Sequence, residues 1–321
     1  MEHTVDIKKV VAGGKGLARL ANGQVVLVEG VLPDEAVTIR ETRRHKGFVE
    51  AEVVRIEQAS PDRIIAPCPY YGRCGGCDLQ HASYAAQLQI KQQILSESLQ
   101  RAHLSLSCAI EPTLASPQPF TYRSRVRLHL DALGQLGFHQ ATSNAVVPIR
   151  RCLLATDSIN RVLEALGESE WPARLAGQIS AIELIHNPAN DRVVLVLLPI
   201  RDTAVDRNLA PQMAGLADEV MILGAPSSSS STVVLSQHFS PHGLDYRLAW
   251  DHRCFFQVNS QQNAQLIELA LDLLPRHAQA LTALDLFCGI GNFSIPLALR
   301  GFKVTGVEHN RRSTHWAQEN S

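Results

Sequence analysis

Two short stretches of the chain carry residues whose types and spacing could do chemistry. The first is Cys68-Pro-Tyr-Tyr-Gly-Arg-Cys74-Gly-Gly-Cys77, three of the seven cysteines within ten residues. Thiolates this close repel one another, and three thiols cannot all pair without strain, so a shared metal or metal cluster is the economical use for them. Gly75 and Gly76 leave the backbone free to wrap a centre and to bring amide N–H groups near sulfur. Spacing alone suits a four-cysteine zinc site as well as an iron–sulfur cluster. His81, just beyond, could replace a thiol, but a histidine starting a helix is expected as a cap or surface residue.

The second stretch is Leu284-Asp-Leu-Phe-Cys-Gly-Ile-Gly-Asn292. An apolar strand with Asp285 near its end runs into a turn holding Gly289 and Gly291, where a ligand can lie against backbone. The helix beyond offers free N–H groups. Glu308 stands 23 residues after Asp285, closing the next apolar run, where an acid can accept hydrogen bonds from ribose hydroxyls. A nicotinamide dinucleotide needs a third glycine where Ser294 stands, and Asp285 would set negative charge beside its pyrophosphate. S-adenosylmethionine has no phosphate and carries a positive sulfonium, which suits an acid at the turn better. A plain packing turn is the bland alternative, and Glu308 argues against it.

The elements that must position these stretches are legible from periodicity. Residues 1–58 read as five short strands with turns at Gly13–Gly16 and Asn22-Gly23, which predicts a small closed barrel of the OB type. After a boundary at Ser60–Arg63 the cysteines fall on a loop, and Tyr84–Ala102 has the period of an amphipathic helix. Tyr122 to about Trp250 is mainly strand, with a helix over Asp157–Leu166 and a hairpin of Ile182–Ile185 with Val193–Leu198. The Ser227–Ser231 run reads as a short polar loop. From Asn259 the period changes, and Leu266, Ile267, Leu269, Ala270, Leu273 and Leu274 predict the apolar face of a helix stopped near Pro275. Thr282–Phe287, Phe293–Leu299 and Lys303–Val307 then read as one strand–helix–strand unit of a doubly wound parallel sheet. The fold class is multidomain α+β and α/β. An OB-like β-barrel occupies 1–58, a central, mainly antiparallel β domain with the cysteine loop 59–255, and the start of a Rossmann-like fold 256–321.

Hydrophobic residues make up 45% of the 321, which excludes global disorder. An odd number of cysteines, spaced unlike a secreted scaffold, favours a reducing compartment. The first residues form no apolar signal region and no run reaches membrane-spanning length, so a cytoplasmic protein with no membrane partner is expected. A net charge of −1 does not advertise a nucleic-acid binder. Yet Arg40, Arg43, Arg44, His45 and Lys46 cluster, Arg123, Arg125 and Arg127 alternate, and Arg150 and Arg151 adjoin Cys152. Such patches bind phosphate whatever the global sum, and they read equally well as solvated strand faces.

The cluster Cys68…Cys74-Gly-Gly-Cys77-Asp-Leu-Gln-His81 and the Leu284–Phe293 turn, in this order, resemble the iron–sulfur-containing RNA uracil-5-methyltransferases, over essentially the whole chain. The resemblance implies that 1–58 is a TRAM domain that binds RNA. It implies that Phe120–Arg125 is an RNA-facing strand with Arg123 and Arg125 on the RNA, and that Phe256–Asn259 lies on the cofactor side. S-adenosylmethionine is then held by Gln257, Phe287, Asn292 and Glu308 at the Gly289/Gly291 turn, with Asp285 as an orienting group behind them. A [4Fe–4S] cluster is implied on Cys68, Cys74 and Cys77, with Cys152, from the Val146–Cys152 segment, as fourth ligand. The Cys-x₃-Cys-x-x-Cys spacing of radical adenosylmethionine enzymes is not matched. Cys108 and Cys254 are expected as ordinary buried thiols. The implied activity is methylation of uridine C5 in RNA, 23S ribosomal RNA before transfer RNA, by a monomer.

In that family a cysteine thiolate adds to C6, C5 takes the methyl group, and a carboxylate removes the C5 proton from a base flipped out of its stack. The resemblance places both groups beyond Ser321. The chain is therefore expected to be the N-terminal portion of such an enzyme, inactive alone, with its catalytic residues unknown. Cys288, among apolar neighbours on the cofactor turn, is not expected to stand in. The alternatives are a non-catalytic iron–sulfur RNA-binding protein and a transfer-RNA uracil-5-methyltransferase.

Overall fold

The structure is a computed structural model that describes residues 2–104, 106–224, 233–275 and 281–321; the serine run at 227–231 lies outside them. Its contacts divide the chain into two compact units, residues 1–115 with 139–147 and residues 116–138 with 148–321.

In the first unit, period-two alternation of valine and isoleucine with polar residues makes six strands. They are β1 (Glu2–Asp6), β2 (Lys9–Val10), β3 (Gly16–Arg19), β4 (Val25–Val28), β5 (Ala36–Arg44) and β6 (Phe48–Gln58). The sheet order is β1-β5-β6-β4-β3-β2, antiparallel except where β4 meets β6. The two edge strands, β1 and β2, are separated in the chain only by Ile7 and Lys8, so the sheet has to curl back on itself. Its inner face is apolar, with Val26, Val28, Val37, Ile39 and Val49 fully buried. The sixth strand is one more than expected. The Thr4–Val11 run breaks at Ile7, whose N–H turns to the Glu35 carbonyl at 2.8 Å. Helix α1 (Tyr84–Arg101) starts at Ser83, whose hydroxyl accepts from the Ala86 amide. Its Ala86 and Ile90 pack with Val10, Leu32 and Ala82.

The second unit opens with β7 (Arg125–Leu130) and β8 (Leu136–His139), whose last residue falls in the first unit; β9 (Val146–Pro148) falls in the first unit but for Pro148. Then follow α2 (Asp157–Glu168), α3 (Trp171–Leu175), β10 (Ile179–His186), β11 (Val193–Pro199), α4 (Leu209–Gln212) and β12 (Glu219–Ile222). Within this unit the sheet runs in the order β12-β11-β10-β7-β8. The expected hairpin is the antiparallel β10–β11 pair, and the expected helix is α2. A separate antiparallel hairpin, β13 (Val234–Phe239) with β14 (Tyr246–Asp251), precedes α5 (Ser260–Asp272). Then come β15 (Thr282–Leu286), α6 (Ser294–Leu299), β16 (Lys303–Val307) and α7 (Arg311–Glu319), with β15 and β16 parallel from Thr282↔Lys303 to Leu286↔Val307.

One apolar core holds this region together: Val194 and Val196 of β11, Leu235 and Trp250 of the hairpin, Ile267 and Leu271 of α5, and Ile290 and Ile295 around the glycine turn. Helix α5 departs from expectation. Its buried stripe is Asn263, Ile267 and Leu271, one residue per turn, while Leu266, Leu269 and Leu273 are exposed. A strictly i, i+4, i+8 stripe is narrower than the apolar content suggested, because the elements packed on α5 cover only one line of it. Among the described residues no helix is long and apolar enough to cross a membrane.

Candidate functional site

The glycine turn is held from three sides. The Cys288 amide donates to the Val307 carbonyl at 3.1 Å and the Gly291 amide to the Cys288 carbonyl at 2.9 Å. The Gly289 amide donates to Oε2 of Glu308 at 2.9 Å, and the Asn310 amide to Oε1 at 2.7 Å. Those two amides, Asn310 first, hold the Glu308 carboxyl below the usual carboxylate range. Asp285 accepts from the Ser294 hydroxyl at 2.6 Å. Ser294, at the position a dinucleotide fold gives to glycine, therefore fixes the acid behind the turn. Phe287 sits at φ 64°, a left-handed conformation uncommon outside glycine, and its side chain is 86% exposed.

These residues border a cleft with some 570 Å³ of free space open to solvent. Gln257, Phe287, Gly289 and Asn292, named from the sequence, all line it. Glu308 reaches the turn from β16 through Gly289, and Asp285 lies behind it. Reading the sequence missed Gln237, Trp250, Phe255 and Asn263, which also line the cleft. Asn263 had a signal: it follows the α5 cap Asn259 by four residues, a polar side chain on the buried stripe. Gln237 and Trp250 arrive from the β13–β14 hairpin, and no local pattern brings them to the turn. Cys288 lines the cleft too, but burial pushes its thiol up, and the charges of Asp285 and Glu308 push it further. It is a poor nucleophile.

The segment leading into Gln257 is anchored by β7. The Ser124 amide and hydroxyl both donate to the Val258 carbonyl at 2.9 Å. Arg125 donates to Glu183 at 2.6 Å and to the Cys254 carbonyl at 3.2 Å, with Phe256 beneath it. Arg127 meets the same, nearly buried Glu183 at 2.7 Å. Arg123 pairs through its backbone with Leu154 and, across an isolated bridge, with Asn259. In the other basic stretches Arg40 is paired with Glu2 and Glu52, Arg44 with Glu41, and Arg151 with Asp157 and Glu164.

Cys68, Cys74 and Cys77 are half-buried on a loop of the first unit and in no disulfide, and Cys152 is half-buried in the second. The donor chemistry, four thiols, fits a cubane cluster. Among the described residues no three His, Cys, Asp or Glu side chains stand together as a metal site. Cys77 accepts from the buried Gln80 amide at 3.1 Å. The main chain at Cys152 is clamped on both sides by the Asn160 side chain, at 2.9 and 3.0 Å.

Two expectations about this region are corrected. His81 is neither a cap nor a surface residue: it is 3% exposed, between Tyr71 Oη at 2.5 Å and the Val31 carbonyl at 3.3 Å, and Ser83 does the capping. Burial pushes the Tyr71 hydroxyl up to about 12. Cys108 is exposed rather than buried, because the described stretch after α1 forms no element that could cover it, while Cys254 is buried as expected.

The chain is similar to known proteins over nearly its whole length. The tRNA (uracil-5-)-methyltransferase family matches residues 83–321, and the TRAM domain matches residues 2–54. The 23S rRNA (uracil(1939)-C(5))-methyltransferase RlmD of Acidithiobacillus ferrooxidans is 32% identical, over 99% of this chain and 73% of that protein. Its counterpart in Pseudomonas putida is 34% identical, over 96% of this chain and 68% of that one. Among solved structures, the tRNA (uracil-54, C5)-methyltransferase of Pyrococcus abyssi in complex with S-adenosyl-L-homocysteine superposes with a TM-score of 0.71. It covers 98% of this chain and 75% of its own, at 22% identity.

Proposed function

The chain belongs to the tRNA (uracil-5-)-methyltransferase family, and from that premise we propose that it methylates C5 of a uridine in RNA from S-adenosylmethionine, with large-subunit ribosomal RNA as substrate. The observation that carries this reading is the glycine turn bound to Glu308 at the edge of an aromatic, amide-lined cleft. Bound there, S-adenosylmethionine would supply an electrophilic methyl group. Glu308 keeps a free lone pair on each oxygen for ribose hydroxyls. Phe287 offers an exposed ring face for a planar base, and Gln257 and Asn292 offer amides to its polar edges. Asp285 places negative charge behind the turn, favourable for a sulfonium and unfavourable for a pyrophosphate.

RNA is proposed to engage residues 1–58, the TRAM segment, and the β7 side of 59–255 near Arg123 and Arg125, with 256–321 as the cofactor segment. Glu183 already orders Arg125, which lowers the entropy lost when that side chain meets a partner. A [4Fe–4S] cluster on Cys68, Cys74, Cys77 and Cys152 is the finer part of the reading. It is supported by four cysteines outside any disulfide, three of them within ten residues, and no step of methyl transfer is routed through it. We place the protein in the cytoplasm as a monomer.

Deleting the gene and measuring 5-methyluridine in digested RNA by mass spectrometry tests the proposal. Loss from large-subunit ribosomal RNA with transfer RNA unchanged is expected. Loss confined to transfer RNA would move the substrate, and no loss in either would overturn the function.

A further inference from the structure

Asn292 sits between Gly291, at φ 93°, and the start of α6, in a turn with little conformational preference of its own. An asparagine amide is asymmetric, with two N–H donors on one atom and two lone pairs on the other, so the way it faces decides what a ligand meets. Here the amide is tied to one neighbour. Asn263 Nδ2 donates to Asn292 Oδ1 at 2.8 Å, and Asn292 Nδ2 donates back to Asn263 Oδ1 at 3.0 Å. A flip of one amide alone would set nitrogen against nitrogen and oxygen against oxygen, so neither turns over without the other.

Asn263 is itself well fixed. It is 5% exposed on the first turn of α5. The Asn259 side chain caps that turn through the Gln262 amide at 3.0 Å, and Gln237 donates to the Ser260 carbonyl at 3.2 Å. Ile267 and Leu271, one and two turns on, are in the core. After the exchange Asn292 keeps one N–H and one lone pair, and both asparagines line the cleft.

We propose that Asn263 is a positioning residue: it holds the Asn292 side chain against α5, so that the remaining donor and acceptor of Asn292 meet the cofactor from a fixed place. This rests on the reading of the cleft as an adenosylmethionine site. It identifies a residue on α5, outside the glycine turn, that acts on the ligand through another side chain.

The test is a double-mutant cycle read by calorimetric affinity for S-adenosylhomocysteine. Asn263→Ala and Asn292→Ala should each weaken binding by roughly fivefold to tenfold. The double variant should bind no worse than Asn292→Ala alone, because a residue that acts through Asn292 adds nothing once that side chain is gone. Asn263→Leu, which keeps the volume and suits the Ile267/Leu271 stripe, should match Asn263→Ala in affinity and melt near wild type. Additive losses, or wild-type affinity in Asn263→Leu, would overturn the proposal. Absence of binding to the wild-type protein would instead overturn the cofactor reading beneath it.

Discussion

The amide of Gly289 donates to Oε2 of Glu308 at 2.9 Å, tying the turn after β15 to the acid after β16. One carboxylate thus serves the architecture of the turn and faces the ligand side with its remaining lone pairs. Glu308→Ala should weaken binding of S-adenosylhomocysteine by roughly tenfold or more, the range for hydrogen bonds to a charged group. Calorimetric titration checks this, and an unchanged affinity would remove Glu308 from the site. Because the Asn310 and Gly289 amides hold the carboxyl below its usual range, it stays ionised in mild acid. Its contribution is lost only as the pH falls through that lowered value.

Gly306 on β16 touches the turn from below. A Cβ there would stand 2.9 Å from Cys288 Sγ and 3.3 Å from Ser294 Oγ. Gly306→Ala should cost about 1–3 kcal/mol by overpacking, and adding Cys288→Ala should recover much of it. Thermal melts of the two variants check the pair. Equal melts would show that Cys288 is not the obstacle.

Glu35 is buried in the first unit and accepts from Arg63 and from the Leu32 and Ser60 amides. Burial alone would raise its pKa; Arg63 and the two amides outweigh that and leave it below the ordinary 4.5. A depressed carboxylate gives stability that is complete above the ordinary value and is lost as pH falls through the folded one. Chemical denaturation as a function of pH should show that loss in wild type and a flatter profile in Glu35→Gln. Arg63→Met leaves the carboxylate buried and unpaired and should cost about 3–5 kcal/mol.

Protein purified without oxygen should carry about four iron atoms per chain and a brown charge-transfer absorption. Cys152→Ser should then lower the iron content as far as Cys74→Ser. A colourless protein binding zinc would refute the cluster, and full iron in Cys152→Ser would refute the fourth ligand.

What the sequence makes legible follows from how local each signal is. The β15–turn–α6–β16 unit and the β10–β11 hairpin are written in consecutive residues, by period and by glycine, and they form where expected. The burial of His81 was not legible, because it depends on Tyr71 and on Val31, fifty residues earlier. Likewise Leu266 and Leu269 look like core by composition. Only the placement of the neighbours decides that Asn263, Ile267 and Leu271 face inward instead. Gln237 and Trp250 reach the cleft through long-range packing of a hairpin that has no motif of its own.

Titration of the wild-type protein with S-adenosylmethionine and, separately, with a nicotinamide dinucleotide tests the cleft most directly. Saturable one-site binding of S-adenosylmethionine, competed by S-adenosylhomocysteine and untouched by the dinucleotide, is the expected result. Binding of the dinucleotide with none of S-adenosylmethionine would contradict it.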